Sequence, residues 1–279
     1  MAITNFIPSV WSENLYTQLD KQYIAVANCN REFEGDINHK GAIVKICGVG
    51  EVEVKDYTKN SDMTTAQALS DTVKELAIDK AKYFNFQIDD IDRAQSSPKL
   101  MNAAMKIAAS ALANAADLEV YKLWHQAGHI IDHPQVTENN ILDLIIRART
   151  KLYQNNVTDA HEVVIEVSPE VAELILKAKI SLSTDNGEAL ETGCLGSIGG
   201  CKIFVSNNIV IEDHADCRFN KCIVRTKRAI AFAEQLSEIE AYRPEKRFSD
   251  AVKGLHLYGA KVIYPSEMVL LDLGTPYGN

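Results

Sequence analysis

Apolar residues recur at helical spacing through one long stretch, residues 97–128 (SPKLMNAAMKIAASALANAADLEVYKLWHQAG). Met101, Met105, Ala108, Leu112 and Ala115 follow one another at steps of three and four, the pattern of a helix with one buried face. Ser97 is placed to cap this helix and Pro98 suits its first position, where the missing N–H has no partner to lose. No Gly or Pro follows until Gly128, the expected stop. About 30 residues at 1.5 Å each make a rod of roughly 45 Å, which must lie across something. It is expected to be the spine on which the rest is packed.

Upstream, Trp11, Leu15, Leu19 and Tyr23 fall every fourth residue within residues 6–26, which predicts an extended lead-in and a short amphipathic helix. An arm of that size cannot form a core alone and must dock on its own domain or on a neighbour. The period then changes to two. In GAIVKICGVG, Ile43 and Lys45 share one face and Val44 and Ile46 the other. EVEVKDYT adds Val52 and Val54, with Gly48 and Gly50 marking the turn between the two strands. After polar residues 58–67, Phe84, Phe86 and Ile88 alternate in a strand that leads into the rod. Residues 35–91 thus predict a long two-stranded excursion. Because an isolated hairpin is marginally stable in water, it implies a partner surface.

Beyond the rod, Thr137 is expected to cap a second helix with Ile141, Leu144, Ile145, Ala148 and Leu152 on its inner face. HEVVIEVS reads as a buried strand, and Ser168 with Pro169 starts a third helix, PEVAELILKAK. CKIFVSN and KCIVR are strands. The C-terminal part is mostly strand, with residues 229–236 fitting either helix or strand. The fold class is α+β, and no repeat or linker divides the chain.

The 279 residues suffice for one large domain or two small ones, and the composition, 46% hydrophobic and 24% charged, is that of an ordered soluble protein. A net charge of −9 argues against a surface that clings to nucleic acid as a whole, while leaving room for a local basic patch. No apolar run reaches the roughly 18 residues of a membrane span, so no membrane partner is expected. The chain opens without a secretory signal, and its six scattered cysteines are expected to be free thiols in a reducing cytoplasm.

The candidate chemistry is thin. Gly193, Gly196, Gly199 and Gly200 suggest a phosphate loop, but β-rich sequence follows where a helix N-terminus is required. A tight turn is the simpler reading. His125, His129 and His133 repeat every fourth residue, but Gly128 interrupts any shared helix and no H-E-x-x-H pattern occurs. Cys194, Cys201, Cys217 and Cys222 lack the close pairs of zinc sites. Asp89, Asp90 and Asp92 lack the glycine and distal glutamate of a calcium loop. No titratable set converges, so no catalytic residue, cofactor or metal is expected.

The order of the motifs carries more. IPSVWSENL precedes NREFEGD at residues 30–36, and DYTKN at 56–60 closes the strand excursion. KYFNFQIDDIDRAQ at 82–95 runs into the Ala-rich helix, and GCLGSIGGCKIFVSN and GLHLYGAKVIYP follow. Over nearly the whole chain this set resembles the major capsid protein of tailed bacteriophages, with the Hong Kong ninety-seven type fold. The resemblance implies an N-arm (1–29), an extended E-loop hairpin (30–82), a peripheral P-domain with the spine helix (83–134), an axial A-domain (135–222), and strands 223–279 returning to the P-domain with part of the A-domain. It implies pentamers and hexamers in an icosahedral head that encloses double-stranded DNA without sequence-specific contact, a virion capsid location and assembly in the host cytoplasm. A portal is implied as a partner. A separate scaffolding protein is expected as well, because the sequence opens at the arm without a fused charged helical segment. Trp11, Leu15, Tyr23, Arg31, Glu34, Lys55 and Tyr57 are the expected subunit-interface residues, and no Lys–Asn cross-linking pair is assigned. An encapsulin-type compartment is the alternative within the fold. A cytosolic α/β enzyme using the glycine loop and residues 125–133 is the alternative outside it.

Overall fold

The computed structural model describes residues 15, 18–19, 22–33, 42–49, 56, 59, 71–89, 99–157, 162–178, 194–214, 217–245 and 249–277. The helices are α1 (Lys99–Tyr121), α2 (Ile141–Gln154) and α3 (Pro169–Lys177). The first strands are β1 (Ile43–Val49), β2 (Asp71–Ala77), β3 (Lys80–Asp89), β4 (His129–His133), β5 (Val163–Val167) and β6 (Cys194–Ile198). The others are β7 (Cys201–Val205), β8 (Ile211–Asp213), β9 (Cys217–Thr226), β10 (Ile230–Tyr242), β11 (Ser249–Val262) and β12 (Met268–Pro276). Among the described residues no helix is long and apolar enough to cross a membrane.

The expected spine is α1, shorter than predicted. Its 23 residues span roughly 35 Å at 1.5 Å each. After Tyr121 the chain tightens into a 3₁₀ turn, Lys122–Gln126, and becomes extended at Ala127. Gly128 is therefore not the helix stop. Its N–H donates to the Pro265 carbonyl at 2.9 Å, and a Cβ there would stand 2.4 Å from that oxygen. The glycine permits two segments to cross. Ser97 and Pro98, the expected start, lie outside the described residues.

Met105, Ala109, Leu112, Ala113, Ala116 and Val120 of α1 are buried against Phe232, Val252 and Tyr258 of a three-stranded antiparallel sheet ordered β10–β11–β3. The small alanines let the helix lie close to the strands. β1 and β2 form a separate antiparallel pair, with Val44 opposite Leu76 and Ile46 opposite Lys74. Val44, Ile46, Leu76 and Ile78 pack on Ala231, Ala233, Leu257 and Ile263, which fixes the root of the hairpin on the three-stranded sheet. The partner of β1 is thus 71–77, not the expected 51–58, and Gly48 pairs with Thr72 inside the strand instead of turning it. Alternation fixes which residues share a face, but several strands can match one alternating partner.

The seven-stranded sheet runs β4–β12–β9–β5–β7–β6, with β8 on β9. β4 is parallel to β12 and β5 to β7, and the other pairings are antiparallel. α2 and α3 cover one face. The predicted residues Ile141, Leu144, Ile145, Ala148 and Leu152 all turn inward, against Val163, Ile165, Val224 and Leu271. Asn140, not Thr137, takes the N-cap of α2, because Thr137 O accepts from the N–H groups of Asn140 and Ile141 in a preceding turn. Ser168 caps α3 as expected, its Oγ accepting from the Val171 N–H at 3.3 Å. Residues 230–236 resolve as strand, within β10. Of the C-terminal strands, β10 and β11 lie beside the spine, and β12 lies inside the seven-stranded sheet, where Val269, Leu271 and Leu273 join its core. β9, in the same sheet, runs past the boundary expected at 222.

Candidate functional site

The resemblance predicts a site made of surfaces, and the first question is where the arm lies. Leu15, Gln18 and Leu19 are helical, and Leu15, Leu19 and Tyr23 are buried in the core beneath α1. Of the two places open to the arm, its own domain or a neighbour, Leu15 and Tyr23 take the first, and their apolar surface is closed off within the chain. Trp11, Glu34, Lys55 and Tyr57 lie outside the described residues. Arg31 is described and turns inward, its guanidinium 2.7 Å from Glu234 of β10.

Glu234 gathers three donors. The Tyr23 hydroxyl donates to Oε2, His256 Nε2 of β11 lies 2.8 Å from the same oxygen, and Arg31 holds Oε1. Burial, then the Glu234 charge, pushes the Tyr23 phenol up, so it stays a neutral donor. Two further anchors hold the turn just after Tyr23. Asp117 of α1 accepts from the backbone N–H groups of Ile24 and Val26, both at 3.0 Å. Burial pushes its carboxyl up to about 6 against the opposing effect of those N–H groups. From the other side, Arg225 of β9 pairs with Glu166 of β5 through two bonds of 3.0 Å, and neither side chain meets solvent. The remaining guanidinium N–H groups reach the carbonyls of Ala25 and Asn28. Burial drives the Glu166 carboxyl up and the Arg225 charge opposes it.

Asp117, Glu166, Arg225 and Glu234 were missed in the sequence. Each interrupts an apolar run (ANAADLEV, VVIEV, CIVRT, AIAFAEQ), and that interruption was the available signal: a charge at a core position needs a buried partner.

The other candidate residues do not come together among the described residues. Gly199 and Gly200 have φ of 56° and 89° and make a two-residue hairpin turn between β6 and β7, closed by the pair Ile198 and Cys201. It is a turn, with no helix N-terminus to cradle an anion. Gly193 lies outside the described residues. His125 sits in the 3₁₀ turn, while His129 and His133 lie on β4, so the helical spacing is not realised. Among the described residues no group of three metal-ligating side chains converges. Cys29, Cys201, Cys217 and Cys222 are free, and burial pushes the Cys29 thiol up to about 11 and that of Cys222 to about 12. Asp89 ends β3, and Asp90 and Asp92 lie outside the described residues.

Among the described residues, large apolar side chains remain exposed on several elements, Tyr83 of β3, Ile130 of β4 and Leu176 of α3 included. The outer face of the hairpin carries Ile43 and Val73, 54% and 48% exposed. The free side of α1 carries Ile107 at 70% and Leu118, and the outside of α2 carries Ile146 and Tyr153.

No protein-family model and no curated protein matches the chain. Solved structures do. A chain from Mycobacterium phage Che8 is 31% identical, with a TM-score of 0.68 over 90% of this chain and 91% of that one. The capsid of Ralstonia phage GP4 shares the fold at 13% identity and a TM-score of 0.73, over 94% and 92% of the two chains. A virus-like particle from Pyrococcus furiosus shares it at 12% identity and 0.59, over 95% and 99%. The chain belongs to the major capsid proteins of tailed bacteriophages, with the Hong Kong ninety-seven type fold.

Proposed function

We propose that copies of this chain assemble as pentamers and hexamers into an icosahedral phage head that encloses double-stranded DNA, with a separate scaffolding protein and a portal as partners in the host cytoplasm. The observation that carries this reading is the 31% identity to the Che8 phage chain along nine-tenths of both sequences. The hairpin supports it physically. Its inner face is spent on its own subunit, while Ile43 and Val73 on the outer face are left for a neighbour. Many such contacts make a particle whose stability is collective. The role is structural. The net charge of −9 suits a wall against which DNA is packed without adhering.

Light scattering and electron microscopy of the purified chain, with and without a co-expressed scaffolding protein, test the reading. Megadalton shells or large capsomers are expected, with closed shells only in the presence of the scaffold. A compact monomer or dimer would overturn the shell, and closed shells from the chain alone would remove the separate scaffold. The virus-like particle relative shares only the fold, and a particle filled with protein cargo and free of nucleic acid would favour the encapsulin-type alternative.

A further inference from the structure

The chain passes between its two sheets at a single neck. α1 reaches β4 through Gly128, β9 reaches β10 through the 3₁₀ turn Lys227–Ala229, and β11 reaches β12 through the 3₁₀ turn Pro265–Glu267. These crossings are bonded to one another. The Gly128 N–H donates to Pro265 O, and the N–H groups of Ile263 and Tyr264 donate to Ala229 O at 2.7 and 3.1 Å. Glu267 completes the knot, accepting from Thr226 Oγ1 at 2.6 Å and from Arg228 Nε at 2.8 Å. Three crossings gathered at one place make a hinge, and beside it Ile223 of β9 and Met268 of β12 pack into the core beneath α1.

Arg225 precedes Thr226 in β9, so its side chain leaves the strand on the opposite face. There it meets Glu166, its diagonal cross-strand neighbour, since Arg225 is in register with Val164 and Ile223 with Glu166. The guanidinium then holds the carbonyls of Ala25 and Asn28. The same short turn gives its N–H groups to Asp117 on α1. Asn30 then lies alongside β10, its N–H donating to Ile230 O and its carbonyl accepting from the Phe232 N–H, both at 2.9 Å. Residues 24–31 therefore bond to the seven-stranded sheet, the spine and the three-stranded sheet together. The end of β9 is tied on both faces, by Glu267 on one and by the arm on the other. A strand tied on one face can pivot, and tied on both it cannot. Withdrawal of the arm would leave Arg225 paired with Glu166 but take the carbonyl partners from its other N–H groups, and would take both N–H donors from the buried Asp117, so the tie is held by the cost of unsatisfied buried polar groups.

We propose that residues 24–31 are a staple that fixes the angle between the axial and peripheral domains, and through it the curvature of the shell. The inference rests on the shell function proposed above. It differs from the expected use of the arm, because this part serves its own subunit and the whole subunit turns as one rigid tile.

The test uses the full chain. E166M/R225M replaces the buried pair with apolar side chains of similar length, which preserves packing while releasing the arm from the seven-stranded sheet. D117A releases it from the spine. Spin labels at K106C on α1 and K202C on β7, both exposed positions, report the angle between the domains in unassembled subunits. The wild type is expected to give one narrow distance distribution, and either released variant one broadened by at least roughly twofold, as expected of an unlocked hinge. Amide exchange at Ile24 and Val26 should rise by about tenfold or more in both. Electron microscopy should show wild-type shells of one diameter and variant shells of several diameters or none closed. Unchanged distance distributions, or uniform wild-type shells from either folded variant, would overturn the staple. If the wild type forms no shell, the function fails instead, and the label distances still decide the staple.

Discussion

Asp117 is a carboxylate placed where a core residue belongs, and its titration is the direct consequence. Folding moves it from an ordinary 3.8 to about 6, chiefly through burial. Between those values the folded chain keeps a proton that the unfolded chain has released. The group's contribution to stability is therefore greatest below about pH 4 and is lost as pH rises through about 6. The loss amounts to roughly 3 kcal/mol at most. Asp117→Asn keeps an oxygen for the N–H groups of Ile24 and Val26 and cannot titrate. In urea unfolding of unassembled subunits it should equal or exceed the wild type at about pH 7.5 and lose that advantage near pH 4.5. A wild type that gains on the variant as pH rises would mean that the two amide bonds outweigh the burial of the charge. Ser168 offers a simpler case. Ser168→Ala removes the bond from the Val171 N–H and should cost about 1 kcal/mol, with faster exchange at that amide.

Among the elements, α1 carries the most. Leu112→Pro places a ring in the middle of a 23-residue helix at a buried position, removing a hydrogen bond at about 3 kcal/mol or more. The variant should accumulate as insoluble or unassembled chains, and normal shells from it would dismiss α1 as the spine. At the root of the hairpin, a Cβ on Gly259 would stand 2.2 Å from the Ala77 carbonyl. Gly259→Ala should lift β2 off β11 at a cost of about 1–3 kcal/mol, seen as accelerated exchange in residues 71–78 while α2 stays protected. How legible these elements were follows from their physics. The five inward residues of α2 could be read directly, because a 3.6-residue period names a face and any nearby sheet will cover it. The inner face of β1 was equally plain in Val44 and Ile46, yet its partner was not, since a period of two says nothing about which strand lies alongside. The placement of β12 was hidden for the same reason: its apolar run suits the middle of any sheet. The arm anchors were the least legible. Arg225 meets Ala25 across 200 residues and Asp117 meets Val26 across 91, and no local pattern encodes such a pairing.

The molecule as a whole presents two opposed tendencies to its copies. Apolar residues left exposed on the hairpin, the spine and α2 favour association, and hydrophobic burial is little affected by modest salt. Each copy also carries 38 acidic against 29 basic side chains, and that excess resists the approach of identical subunits. The repulsion reaches about 30 Å at 0.01 M salt and only about 10 Å at 0.1 M, so low salt exposes it and physiological salt largely removes it. The subunit concentration needed for shells to form should therefore fall as salt rises from about 0.01 to 0.15 M. Light scattering of a dilution series at each salt concentration reads that threshold. A threshold that rises with salt would show that ion pairs between subunits, not buried apolar surface, hold the shell, and the exposed faces of Ile43, Ile107 and Ile146 would then lie outside the contacts that close it.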